Sequence, residues 1–113
     1  MNNNLIDVVI PTHIKDIDVL DLCIQQVKEN VIDLNNIYVV SKEKYTDNAI
    51  LIPPSTLPFT IKDIANIIGM HWRTGWYYGL TIQITAGLYI PNLKDNVLLI
   101  DTDTMLLTPT KFL

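Results

Sequence analysis

Residues 5–41 decide the fold, and they read LIDVVIPTHIKDIDVLDLCIQQVKENVIDLNNIYVVS. Leu5 to Ile10 form an apolar run rich in β-branched residues that ends at Pro11, which predicts a buried strand. Apolar side chains then recur every three or four residues up to Val31, which predicts an amphipathic helix beginning near Asp16. Residues 36–41 predict a second strand. A strand, a helix and a strand in this order indicate a βαβ unit with parallel strands.

The rest of the chain continues the same pattern. A proline-rich segment, residues 53–58, predicts a loop within the domain rather than a boundary between domains. The sequence therefore predicts a single α/β domain over residues 1–113, with a mostly parallel, Rossmann-like sheet. The further predicted elements are a short strand at 49–52, a helix at 61–68 capped by Gly69, a buried helix within 72–90, a strand at 96–100 and a short strand in the tail 105–113, broken by Pro109.

Composition excludes several classes of protein. With 8 Lys and Arg against 12 Asp and Glu, the chain has a net charge of -4 and lacks the basic face that binding to a nucleic-acid backbone requires. Cys23 is the single cysteine, so the chain cannot contain an internal disulfide. Neither a secretory leader nor an apolar run of about 18 residues is present, so we expect a cytoplasmic chain without a membrane span.

Two carboxylates directly follow the last predicted strand. Asp101 and Asp103 are separated by one residue, so their side chains can converge on one hard cation such as Mg²⁺ or Mn²⁺, which prefers oxygen ligands. Ligands of α/β sheets bind at the carboxyl ends of the strands, which is where this pair falls. The alternative is a solvated loop or a helix N-cap.

Two other segments carry polar side chains that could contact a ligand. Thr12 and His13 follow the first strand and could contact a nucleotide base or ribose, or they could form an ordinary turn into the helix. Arg73 is the only arginine and lies among aromatic residues. Its guanidinium could bind phosphate or carboxylate, or it could stack on a tryptophan at the start of a helix.

Three segments resemble glycosyltransferases of the GT-A fold, which use nucleotide-sugar donors. Residues 7–12, DVVIPT, resemble their first strand, and residues 97–104, VLLIDTDT, resemble the strand that carries their Asp-x-Asp motif. Residues 73–78, RTGWYY, resemble the Arg-x-Gly-Trp-Tyr segment of a little-characterised glycosyltransferase-like family, the DUF6492 group. The segments occur in the same order as in the family, and the resemblance extends over nearly the whole chain.

The resemblance implies roles for these residues. The loop after the first strand would line the base and ribose, and Arg73 would reach the nucleotide or its diphosphate. Asp101 would meet the ribose or the metal, and Asp103 would coordinate Mn²⁺ or Mg²⁺. The metal ligands implied are thus Asp101 and Asp103, and the residues implied to bind the nucleotide sugar are Pro11, Thr12, His13, Arg73, Asp101 and Thr102.

The resemblance also implies a function. We expect the donor-binding part of a metal-dependent glycosyltransferase, truncated after the Asp-x-Asp strand, with a UDP-sugar as donor and an acceptor that the sequence does not identify. A homodimer that covers the exposed edge of the sheet is a further expectation. One alternative is a non-catalytic nucleotide-sugar-binding or scaffold module derived from such an enzyme. Another is a response-regulator-like or other doubly wound domain in which the acidic pair has a different role.

Overall fold

The computed structural model describes residues 5–12, 16–69, 74–102, 104 and 106–112. Strands and helices alternate along these residues in the manner predicted for an α/β domain. The elements are, in chain order, β1 (Ile6–Pro11), α1 (Ile17–Asn30), β2 (Leu34–Val40), β3 (Ile50–Ile52), α2 (Ile61–Ile68), α3 (Thr74–Tyr89) and β4 (Asn96–Leu99), with a short 3₁₀ turn at Pro54–Thr56 inside the proline-rich loop.

The four strands form one sheet in the order β3-β2-β1-β4. All neighbouring pairs are parallel, with Val9 of β1 paired to Tyr38 of β2 and to Leu99 of β4. The prediction of an α/β domain with a parallel sheet is therefore confirmed. The central position of β1 explains its nearly continuous apolar sequence, because a strand covered on both faces has no solvent-facing side.

Two apolar cores lie on the two faces of this sheet. Alternate residues of β1 point to opposite faces, as the two-residue period of a strand requires. On one face Val8 and Ile10 pack with α1 through Leu20, Ile24 and Val27. On the other face Val9 packs with Ile82 and Ile90 from α3 and the turn after it. The result is a three-layer arrangement in which both helices bury one side against the sheet.

A buried carboxylate stabilises the amino end of the sheet. Ile6 pairs with Leu34 and Val8 pairs with Ile37, so one residue of β1, Asp7, lies opposite two residues of β2. This is a β-bulge, which leaves backbone groups without ladder partners. The Asp7 carboxylate is fully buried and accepts hydrogen bonds from Asn35 Nδ2 (2.8 Å), the Asn36 N–H (3.0 Å) and the Lys94 N–H (2.6 Å). These three donors replace the water that the buried carboxylate has lost.

Element boundaries differ from the predictions in two places. β2 begins at Leu34, two residues before the predicted start, because the bulge extends the strand into a polar segment. β1 includes Pro11, which pairs with Val40 although proline cannot donate to the ladder. The ladder continues past it, since the Thr12 N–H donates to the Val40 carbonyl at 2.9 Å.

The two later helices lie where the sequence predicts them, although α3 is buried on one side only. Thr60 and Asp63 form a capping box at the start of α2, and Gly69 ends that helix with a φ of +82°. α3 is helical despite its β-branched residues. The hydroxyls of Thr81 and Thr85 donate to the carbonyls of Tyr77 and Thr81, one helical turn earlier, so these side chains are satisfied within the helix.

An edge-to-face contact joins α3 to the loop before α2. The Tyr78 and Phe59 rings are 5.9 Å apart at an angle of 85°. Burial in this contact region raises the pKa of the Tyr78 phenol above its ordinary value.

The tail crosses α1 and returns to the amino end of the sheet. The Leu106 N–H donates to Gln26 Oε1 at 3.0 Å, and the Leu106 carbonyl accepts from Asn30 Nδ2. Thr110 forms an isolated parallel bridge with Val31. The strand predicted in the tail is thus reduced to a single bridge among residues 106–112. Over the part of the chain that the structure describes, none of the helices has the length and apolar character needed to cross a membrane.

Candidate functional site

The carboxyl ends of β1 and β4 bring together residues that the sequence separates by about 90 positions. Thr12 directly follows β1, and Asp101 and Thr102 follow β4 after Ile100. Because β1 and β4 are neighbours and parallel, both segments emerge at the same edge of the sheet. His13, Arg73 and Asp103, which the sequence also assigns to this site, lie outside the described residues, and their predicted roles stay predictions.

Two threonine hydroxyls join the two segments. Thr12 Oγ1 and Thr102 Oγ1 are 3.2 Å apart, within hydrogen-bond distance. Thr102 Oγ1 donates to the Pro11 carbonyl at 3.2 Å, so it can accept the Thr12 hydroxyl proton. That single proton can go either to Thr102 Oγ1 or to the Ile10 carbonyl at 3.3 Å. Thr102 is 3% exposed, whereas Thr12 is half-buried. The buried Thr102 therefore links the end of β4 to the end of β1. Thr12 is more accessible to a ligand than Thr102.

Asp101 is exposed and is contacted from two sides. Its backbone carbonyl accepts the Thr104 N–H at 3.0 Å. The buried Cys23 thiol of α1 contacts the same carbonyl at 3.9 Å. On the side chain, Oδ1 accepts from Gln83 Nε2 of α3 at 3.0 Å. Contacts from both helical layers thus converge on one residue.

At this edge, between β1 and β4, the order in which the chain adds strands to the sheet reverses. From β1 the chain proceeds through α1 to β2 and then to β3 on one side, and it returns to the other side of β1 through α3 to reach β4. α1 covers one face and α3 covers the other. In open α/β sheets such a switch point leaves a crevice at the carboxyl ends of the two central strands, where ligands bind. Thr12 and Asp101 lie at this point.

The oxygen atoms present suit a hard divalent cation. Asp101 offers an exposed carboxylate whose Oδ2 accepts no hydrogen bond from the described residues, and the hydroxyl of Thr12 belongs to the same edge. Mg²⁺ and Mn²⁺ favour such ligands and commonly use one or two carboxylates together with substrate phosphates. No cluster of three Asp, Glu, His or Cys side chains is present within the described ranges.

An open cavity of about 290 Å³ lies elsewhere, beside the amino-terminal halves of β2 and β3. Lys28, Asn36 and Asn48 contribute polar groups to its wall. None of the described residues at the switch point lines it. Because its polar groups come from exposed surface side chains and it is open to solvent, its shape alone does not make it a stronger candidate than the switch point.

Gln83 is the residue of this site that sequence reasoning missed. It lies 18 positions before Asp101 on a helix whose pattern predicts a buried, structural role. One signal was available: Gln83 is the only amide side chain in the uncharged segment Thr74–Tyr89. An amide on such a helix requires a polar partner, but the sequence does not identify that partner.

Comparisons of the chain with protein-family models, with curated proteins and with solved structures gave no match. What the carboxyl edge of the sheet binds has to be inferred from its own geometry and from the sequence motifs that meet there.

Proposed function

We propose that the switch point between β1 and β4 binds a nucleotide sugar together with a divalent cation, and that the chain is the donor-binding part of a GT-A-type glycosyltransferase. The observation that carries the proposal is the junction of Thr12 with the Asp101–Thr102 segment, marked by the 3.2 Å contact between the two threonine hydroxyls. Two motifs that resemble separate parts of a donor site thereby meet at the edge where α/β sheets bind ligands.

Each described residue of the site has a separate role in the proposed function. Asp101 supplies a carboxylate for Mn²⁺ or Mg²⁺, and the half-buried Thr12 contacts the nucleoside. Thr102 keeps the two loops in register from beneath, since it is buried and donates to Pro11. When bound, the cation supplies charge neutralisation for the diphosphate that leaves the sugar. Asp103, His13 and Arg73 complete the proposed site from the sequence alone.

A thermal-shift screen of UDP-, GDP- and dTDP-sugars, with and without Mn²⁺, tests the proposal. A ligand present at about 100 times its Kd stabilises the folded state by roughly 2.7 kcal/mol, which corresponds to a rise in Tm of roughly 10 °C for a domain of this size. We expect such a rise for one nucleotide sugar, with UDP-sugars the first candidates, and only when Mn²⁺ is present.

Two substitutions at opposite ends of β4 give a matched pair for the same screen. Asp101→Asn removes the carboxylate that follows the strand, and we expect it to abolish the metal-dependent rise. Asp95→Asn makes the same chemical change at an exposed position just before the strand, and we expect the full rise to remain. Equal behaviour of the two variants, or no response of the parent chain to any donor, would overturn the proposal.

Sugar transfer or donor hydrolysis separates an enzyme from a non-catalytic module. If the parent chain binds a donor with Mn²⁺ but releases no nucleoside diphosphate from it, the binding part of the proposal stands and the chain by itself is a nucleotide-sugar-binding module.

A further inference from the structure

The polar side chains of α3 behave in two different ways. Thr81 and Thr85 donate to carbonyls of their own helix, at 2.8 and 2.7 Å. Gln83, which lies between them, instead extends its amide to the Asp101 carboxylate at 3.0 Å. Among the side chains of Thr81, Gln83 and Thr85, that of Gln83 forms its hydrogen bond outside the helix. The contact therefore links a helix that packs on the sheet to the loop that follows β4.

Because the Gln83 amide is uncharged, the Asp101 carboxylate that it contacts keeps its negative charge. An amide N–H orients a carboxylate oxygen without neutralising it, whereas a lysine or arginine at the same place would form an ion pair and compete with any bound cation. α3 contains no charged residue over Thr74–Tyr89. Asp101 is thus fixed in direction through Oδ1 while its negative charge and its Oδ2 stay available.

We propose that Gln83 is a positioning residue that presents the Asp101 carboxylate to a divalent cation. This inference rests on the proposed function, because it assigns a role to Gln83 only if Asp101 contacts a metal. Its physical basis is that groups bonded to a metal-binding carboxylate fix its orientation, and their loss commonly weakens metal affinity about 10- to 100-fold.

Mn²⁺ affinity in the presence of UDP, measured by the electron paramagnetic resonance signal of free Mn²⁺, is the first readout. We expect Gln83→Met, which keeps the length and apolar stem of the side chain, to weaken Mn²⁺ binding about tenfold. Gln25→Met is the matched control, since Gln25 also donates from a helix to a carboxylate, that of Glu29 at 3.2 Å, but on the exposed face of α1. We expect its Mn²⁺ affinity to equal that of the parent chain.

Gln83→Lys tests whether the carboxylate beside Gln83 is the one that meets the cation. Lysine retains a hydrogen-bond donor but adds a positive charge beside Asp101. We expect it to bind Mn²⁺ more weakly than Gln83→Met, because the charge repels the cation. Parent-like affinity in Gln83→Met or in Gln83→Lys would overturn the inference.

A second readout does not depend on any ligand. In the metal-free chain, Asp101→Asn should shift the side-chain amide resonances of Gln83 in a ¹⁵N–¹H spectrum, and Asp95→Asn should leave them unchanged. Unshifted Gln83 resonances would overturn the positioning role even if the parent chain binds Mn²⁺ with UDP. If those resonances shift but the parent chain binds no Mn²⁺, the proposed function fails and the positioning role fails with it, while the hydrogen bond itself remains as a structural contact.

Discussion

Asp7 is a charged residue in a buried, largely apolar position. It is fully buried, in a strand whose other members are apolar, and it accepts hydrogen bonds from two residues of β2 and one of the loop before β4. Such a group is tolerated only when its partners replace the water it has lost. Because its partners come from β2 and from the loop that leads into β4, the Asp7 carboxylate ties both flanking segments to the amino end of β1.

Replacing this carboxylate by an amide tests that role. In Asp7→Asn one acceptor oxygen becomes a donor that faces another N–H group, so we expect the free energy of unfolding to fall by about 2 to 3 kcal/mol in urea denaturation. Asp47→Asn is the control, since Asp47 forms an exposed ion pair with Lys44 at 2.9 Å and should lose less than about 0.5 kcal/mol. Equal losses in the two variants would contradict the stabilising role of Asp7.

At the scale of elements, α3 combines an apolar composition with incomplete burial. Ile82 is 4% exposed and packs against the sheet, whereas Ile84 and Leu88 are 80% and 77% exposed. A helix that is apolar on all sides is usually buried on all sides. The sequence therefore predicted the buried character of α3 correctly for one side only. Its helical state was predictable from its length, while the direction in which each side chain points depends on how the helix crosses the sheet.

Replacing Gly79 within α3 and Gly69 at the end of α2 by alanine should change the free energy of unfolding in opposite directions. Apart from its chain neighbours and the backbone of its helix, no described atom lies within 4 Å of the Cβ position at Gly79. Gly79→Ala should therefore raise the free energy of unfolding by about 0.5 to 1 kcal/mol through the entropy of the unfolded chain. Gly69 has a φ of +82°, so Gly69→Ala should lower the free energy of unfolding by about 1 kcal/mol. A loss of stability in Gly79→Ala would indicate that another group packs closely on α3.

At the scale of the whole molecule, the sheet has one central region and two edges. β1 and β2 each have a neighbour on both sides, while β3 and β4 are outer strands of three and four residues. Both apolar cores include residues of β1 and β2. Stability should consequently be highest in the middle of the sheet and lower at the two outer strands.

Hydrogen exchange measures this gradient directly. We expect the amides of Val8 to Ile10 to exchange more slowly than those of β3 and β4, by more than about tenfold, because the outer strands can open without disrupting both cores. The measurement is exchange in deuterated buffer followed by NMR. Protection in β4 equal to that in β1 would indicate that a further element covers β4.

The sequence predicted the order and type of the elements because each apolar run is continuous or periodic enough to specify its own state. The start of β2 was not predictable, since Asn35 and Asn36 belong to the strand only through the bulge and the Asp7 carboxylate. Thr12 and Asp101 could be predicted as site residues because each follows a strand. Gln83 could not be predicted in the same way, because its contact with Asp101 depends on the packing of α3 against the sheet.

The path of the tail has a practical consequence for binding measurements. Leu106 contacts α1 and Thr110 pairs with Val31, so residues 110–112 lie near the amino end of the strands. A biotin or a surface-coupling group attached to the exposed Lys111 would sit at the pole opposite Thr12 and Asp101. On a sensor chip the carboxyl edge of the sheet would then face the flowing solution, and a small nucleotide could reach it without crossing the coupled surface.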